Sequence, residues 1–125
     1  MLKSHSNTKL RTQECWERYQ SAPKHPDNRC FLCHENGEIV QRYKHWFIIK
    51  NSFPYDAIAK AHHMLVPREH VSSETLLSKA AFAELPLIIK QLESENTYDA
   101  IMTGFKKSQT HPTHLHYHLL TWHRA

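Results

Sequence analysis

His114-Leu115-His116-Tyr117-His118 places an imidazole at every second residue. In an extended strand, residues of like parity share a face, so the three rings line one side while Leu115, Tyr117 and Leu119 turn to a core. Rings two residues apart are separated by about 6.5–7 Å along the strand, which lets two of them share a metal while the third meets another ligand. A solvent face that is merely His-rich and a plain three-histidine metal site are the blander alternatives. Strict alternation followed by the apolar pair Leu119-Leu120 favours a dedicated row. Cys30 and Cys33 form a second spaced pair, and in a reducing compartment such spacing reads as a metal or redox site. No βαβ pattern surrounds them, so the redox reading is weak. The third cysteine, Cys15, reads as a packing thiol.

These residues need elements to hold them. Residues 12–20 read as a short helix with Cys15, Trp16 and Tyr19 as its apolar stripe, and Pro23, Pro26 and Asn28 mark a loop after it. Residues 39–42 and 46–50 read as strands, the second carrying the continuous apolar run Trp46-Phe47-Ile48-Ile49 of a buried sheet. Residues 51–61 read as a loop on the turn chemistry of Asn51, Pro54 and Asp56, and 64–66 as a third short strand closed by Pro67. Ser72 or Ser73 is expected to cap a helix through Leu76, Leu77, Ala80, Ala81 and Leu85, until Pro86 forces a kink or a new start. Residues 87–95 continue it, and 99–105 and 114–121 read as strands. Short spacings favour antiparallel pairing, so the expectation is an α+β domain with an antiparallel sheet and a main helix packed on it. Residues 1–29 are read as an extension carrying the short helix, and residues 30–125 as the domain.

A chain of 125 residues, 40% hydrophobic and 22% charged, has the composition of one globular domain. No run approaches the roughly 18 apolar residues of a membrane span, and the first ten residues lack the apolar block of a secretory signal, so a cytoplasmic location is expected. Two glycines exclude the Gly-rich phosphate loops of dinucleotide and P-loop proteins. Twelve histidines ask for a chemical reason. Residues 106–125 carry three basic side chains and no acidic one, so an anionic ligand is favoured near the histidine row. The basic residues do not form the dense run with interleaved aromatics of a nucleic-acid tail, and nucleic acid is not favoured.

The stretch from His114 to Leu120 resembles the His-φ-His-φ-His-φ-φ motif of the histidine-triad superfamily, φ being apolar. The resemblance extends over residues 30–120. Cys30-Phe-Leu-Cys33 is similar to the Cys-x-x-Cys of zinc-containing members, and Lys50-Asn-Ser-Phe-Pro54 followed by His62-His-Met-Leu-Val-Pro67-Arg-Glu-His70 is similar to the stretch where they have an acidic residue before a proline, then His-x-x-φ-φ-Pro-Lys-x-His. The resemblance implies that His116 attacks the α-phosphorus of a nucleotide ester, anhydride or phosphoramidate, giving a nucleotidyl-histidine that water or another acceptor cleaves. It implies that the carbonyl of His114 fixes the tautomer of His116, that His118 and His62 surround the phosphate, and that His118 protonates the leaving group. His70 and His114 are implied to complete a structural zinc site with Cys30 and Cys33. His34, His63 and His111 are competing donors, read as bystanders or substrate-edge residues. Phe53, Ile48 and Trp46 are read as core rather than as walls of a base site.

The sequence departs from the family pattern in two places. Asn51 stands where relatives carry an aspartate on the ribose hydroxyls, and it retains a donor and an acceptor without the charge. The Gly- and Ser-containing turn that holds phosphate is replaced by residues 106–113, where Lys107, Ser108, Thr110 and His111 are the candidate donors. Residues 48–67 are similar to the aprataxin-like branch, but the additional zinc finger of that branch has no counterpart, so small nucleotides carrying a purine nucleoside monophosphate are expected rather than polynucleotide ends. The competing class is a non-catalytic nucleotide-binding or interaction module on the same zinc-stapled fold. The superfamily commonly forms homodimers, which no residue here specifies.

Overall fold

Trp46-Phe47-Ile48-Ile49 is apolar at four consecutive positions because both faces of its strand are covered. The computed structural model describes residues 10–22, 30–34, 37–105 and 114–124. Within them, β1 (Ile39–Arg42), β2 (Trp46–Lys50), β3 (Ala59–Pro67), β4 (Ala100–Met102) and β5 (Tyr117–Trp122) build one sheet in the order β1-β2-β3-β5-β4. Every neighbouring pair is antiparallel. Helix α1 (Gln13–Ser21) precedes the sheet and α2 (Lys79–Glu95) lies between β3 and β4, so the domain is α+β, as expected.

One face of the sheet packs on α2. Trp46, Ile48, Leu65, Leu115, Tyr117 and Leu119 meet Leu85, Ile88 and Leu92 there. The helix presents them because residues 85, 88 and 92 recur at helical spacing. The indole N–H of Trp46 donates to the carbonyl of Ala81 at 2.8 Å, tying helix to sheet. On the opposite face Phe47, Ile49, Met64 and Val66 pack with Leu32 and, at its margin, Cys30 and Ile39. The apolar residues of the histidine segment thus face α2, which leaves their His neighbours the other face.

Five expectations are corrected. The loop after β2 spans only residues 51–58, because Ala59 and Ala61 already pair with Trp122 and Thr121 of β5 and extend β3 to nine residues. The helix does not start at Ser72 or Ser73. Ser73 precedes a separate 3-10 turn, Glu74–Leu76, and the helix is capped by Ser78, whose hydroxyl accepts from the amide of Ala81 at 3.2 Å. Pro86 lies inside α2 without ending it. It sits on the exposed side of the helix, where water can serve the carbonyl its ring leaves without a donor. The last strand begins at Tyr117 rather than His114. Before it the backbone leaves the ladder, with the amide of Leu115 donating to Val71 and the carbonyl of His116 accepting from the Thr103 hydroxyl. Strand β4 is likewise shorter than the expected 99–105. Among the described residues no helix is long and apolar enough to cross a membrane.

Ile88 is 2% exposed in the helix–sheet core, so Ile88→Ala should cost about 2–5 kcal/mol. Pro86→Ala, which restores an amide donor on the wet side of α2, should cost nothing. Urea unfolding of both variants checks this pair, and a loss for Pro86→Ala as large as that for Ile88→Ala would contradict it.

Candidate functional site

Two centres share His114. Its side chain is fully buried, and its Nε2 lies 2.9 Å from the carbonyl of Pro67. A carbonyl can only accept, so the proton is on Nε2 and the lone pair on Nδ1. That Nδ1 faces Cys30 Sγ at 3.3 Å and Cys33 Sγ at 3.4 Å. His70 brings its own Nδ1 to 2.9 Å from Cys33 Sγ. All four donor atoms lie within 4.8 Å of one another. Donors around a tetrahedral zinc would be about 3.3–3.8 Å apart, so the residues fit a metal ion of that kind after small adjustments. The 3-10 turn Phe31–His34 carries Cys33 with Cys30 just before it, the chain just beyond β3 brings His70, and the lead-in to β5 brings His114. Without a metal, burial and the neighbouring Cys30 push the Cys33 thiol up to about 11; a cation would reverse that balance.

The second centre is a cluster of imidazoles on the same sheet face. Met64 pairs with His118 and His62 with Leu120, which sets His62 and His118 diagonally across β3 and β5. Their Nε2 and Nδ1 atoms lie 2.8 Å apart. The ring of His116 stands edge-on to that of His118, with centroids 5.0 Å apart. His116 Nδ1 donates to the carbonyl of His114 at 3.0 Å, leaving the Nε2 lone pair for other chemistry. One residue therefore offers its ring to the cysteines and its carbonyl to the neighbouring histidine. The three clustered rings are 3%, 5% and 9% exposed for His62, His116 and His118. Burial, then Arg11, His63 and His116, push His62 down to about 3. Burial, then His116, His62 and Arg11, push His118 down to about 2. Burial also lowers His116, opposed by its bond to the His114 carbonyl. All three are neutral at pH 7.

The remaining expected residues scatter. Asn51 Oδ1 accepts from the amide of Phe53 at 2.7 Å, so part of its capacity closes a turn, while Nδ2 lies 3.4 Å from His62 Nε2. Asn51 and His62 both line an open cleft of about 290 Å³ with Pro54, Asp56 and Lys60. Ser108, Thr110 and His111, with Lys107, lie outside the described residues, as does the side chain of His34. His63 points to the other sheet face and hydrogen-bonds the Tyr98 hydroxyl at 2.6 Å. Trp46 and Ile48 are core, whereas Phe53 is half-buried and stacks edge-on against Tyr19 at 5.4 Å. Cys15 is buried and its thiol donates to the carbonyl of Pro54 at 3.3 Å. Among the described residues, His114 is the one motif histidine grouped with Cys30, Cys33 and His70.

Sequence reasoning missed Tyr55 and Arg11. The Tyr55 ring lies 4.4 Å from that of His62 and 4.9 Å from that of His118. The Arg11 guanidinium lies 4.8 Å from the Tyr55 ring centroid. An isolated Tyr in a turn and an Arg before a short helix carry no periodic signal, and only the sequence-distant docking of α1 brings them to the cluster.

No protein-family profile matches the sequence, and no curated protein matches it. Solved structures do. A histidine triad protein from Clostridium difficile is 19% identical with a TM-score of 0.58, over 82% of this chain and 96% of that one. A HIT family hydrolase from Legionella pneumophila Philadelphia 1 is 17% identical with a TM-score of 0.59, over 77% and 95%. A HIT family hydrolase from Clostridium thermocellum is 23% identical with a TM-score of 0.52, over 86% and 87%. The fold implied by the motif resemblance is the fold this chain adopts.

His62 and His118 ionise more easily unfolded, near pH 6.5, than folded, so each opposes the native state as pH falls below about 6.5, at up to about 1.4 kcal/mol per pH unit. Urea unfolding at pH 6.5 and 5.0 should show wild type losing about 2 kcal/mol for each such residue. His62→Gln should lose less by about that amount, and identical pH slopes for the two proteins would refute the assignment.

Proposed function

We propose that this protein is a nucleotide hydrolase or nucleotidyl transferase that cleaves a nucleoside phosphate ester, anhydride or phosphoramidate through a nucleotidyl-histidine on His116. The observation that carries the reading is the bond from His116 Nδ1 to the His114 carbonyl. It leaves Nε2 as an unprotonated nucleophile at neutral pH and stabilises the charge the ring gains when that nitrogen bonds to phosphorus. The phosphorus–oxygen or phosphorus–nitrogen bond to the leaving group then breaks, and water or another acceptor releases the nucleotide in a second displacement. Phosphoryl-type transfer is mainly positioning and charge stabilisation. His118 and His62 are assigned to the shell around the phosphate, Asn51 to the ribose from its cleft, and His118 to the leaving group, toward which its N–H turns from the Tyr55 hydroxyl when substrate binds. Ser108, Thr110 and His111 are the assigned phosphate donors of the segment before the motif. HIT family hydrolases of like fold support the reaction class.

Cys30, Cys33, His70 and His114 are assigned to a structural zinc ion, which ties the cysteine turn and the chain beyond β3 to the catalytic segment. Residues 30–125 form the nucleotide-cleaving domain, and the expected ligand is a small purine nucleotide in the cytoplasm, with a homodimer as the assembly the fold class suggests.

The burial of His116 favours a second reading, a nucleotide-binding or interaction module without turnover, and the use of Asn51 in a turn adds to it. Incubation with an AMP ester followed by a base quench separates the two. The catalytic reading expects acid-labile adenylate on wild type and none on His116→Asn. Equal labelling, or tight nucleotide binding with turnover no faster than His116→Asn across several leaving groups, would overturn it.

The metal assignment is checked separately. Purified protein should carry about one zinc per chain, and Cys33→Ser and His70→Ala should each lose metal together with stability. A fully folded, metal-free wild type would contradict the assignment.

A further inference from the structure

Tyr55 touches the histidine cluster at both of its ends. Its backbone N–H lies 3.0 Å from His62 Nδ1. An amide can only donate, so that nitrogen holds a lone pair, and a neutral His62 must carry its proton on Nε2. This proton points at His118 Nδ1, 2.8 Å away, which must therefore accept. The proton of a neutral His118 is then on Nε2, 3.3 Å from the Tyr55 hydroxyl oxygen, which accepts in turn. The opposite direction fails, because His62 would have to accept at both nitrogens and become an imidazolate. Asn51 Nδ2 does not alter this, since its contact with the protonated His62 Nε2 sets donor against donor and makes no hydrogen bond.

We propose that Tyr55 is a positioning residue that closes a ring of hydrogen bonds with His62 and His118 and fixes the tautomer of both. The phenol oxygen receives one proton from the ring and keeps its own O–H for an acceptor outside it. On the proposed function, on which this last step rests, that acceptor is a phosphate oxygen of the nucleotide.

The loop carrying Tyr55 is pinned by α1 and the residues before it. Arg11 Nε donates to the carbonyl of Phe53 at 2.8 Å, and its guanidinium bridges the rings of Tyr19 and Tyr55 at 4.5 and 4.8 Å. The amide and hydroxyl of Thr12 donate to the Asp56 carboxylate at 2.8 and 2.9 Å, and the amide of Ala57 donates to the carbonyl of Leu10 at 3.1 Å. These contacts flank Tyr55 on both sides in sequence. The helix before the first cysteine is thereby coupled to the imidazoles.

Long-range 1H–15N correlation spectra of the full chain at pH 7.5 test the ring without reference to activity. Wild type should show His62 and His118 with their proton on Nε2 and His116 with its proton on Nδ1. Finding either His62 or His118 with the proton on Nδ1 overturns the ring. Tyr55→Phe keeps the aromatic ring and the backbone amide and removes only the acceptor, so the His118 Nε2 proton should exchange with water at least tenfold faster. Unchanged exchange overturns the role of the phenol. With an AMP ester, Tyr55→Phe should lower kcat about tenfold with little change in KM, and an unchanged kcat beside an intact wild-type ring overturns its part in turnover. A wild type that shows the ring and no turnover instead overturns the proposed function.

Discussion

Residue 114 has one side chain and one carbonyl, and both are committed. The ring, held by the carbonyl of Pro67, turns Nδ1 toward two thiols, while the carbonyl receives the proton of His116. Both commitments sit on one residue, so a shift of its backbone carries ring and carbonyl together. The cysteine turn, the end of β3 and the lead-in to β5 are therefore registered at one point. This accounts for the late start of β5, whose preceding carbonyls serve side chains instead of the ladder.

The sheet supplies the second constraint. Leu115, Tyr117 and Leu119 pack under α2, and the alternation that buries them delivers the histidines to the opposite face. That face is not open to solvent. The ring of Tyr55 packs on His62 and His118, and burial keeps these rings neutral. Neutral imidazoles must donate at one nitrogen and accept at the other, so their hydrogen bonds have a direction. Direction at the His62–His118 pair is set by a backbone amide, which cannot reverse.

The segment before the first cysteine docks on the Tyr55 loop rather than standing apart from the site. Burying Cys15 against the loop at Pro54 places Arg11 over Tyr55. Its charge registers on both His62 and His118 and adds to the effect of burial in disfavouring their protonated forms.

Periodicity and spacing made much of this legible. The limits of β1 and β2, the amphipathic α1, the alternation around His116 and the pairing of the cysteines all follow from local pattern, because strand and helix geometry repeat over a few residues. Local pattern failed where a distant partner decides. Ala59 and Ala61 join a strand only because β5 lies beside them, Pro86 is tolerated only because its side of α2 is wet, and Ser78 outcompetes Ser73 as a cap because the chain between them tightens into a separate turn. Which histidines meet the cysteines and which form the imidazole cluster is likewise a tertiary matter. Imidazole is the same group at positions 62, 70, 114, 116 and 118; the partner each ring nitrogen meets, fixed by the register of β3 against β5 and by the docking of α1, divides them.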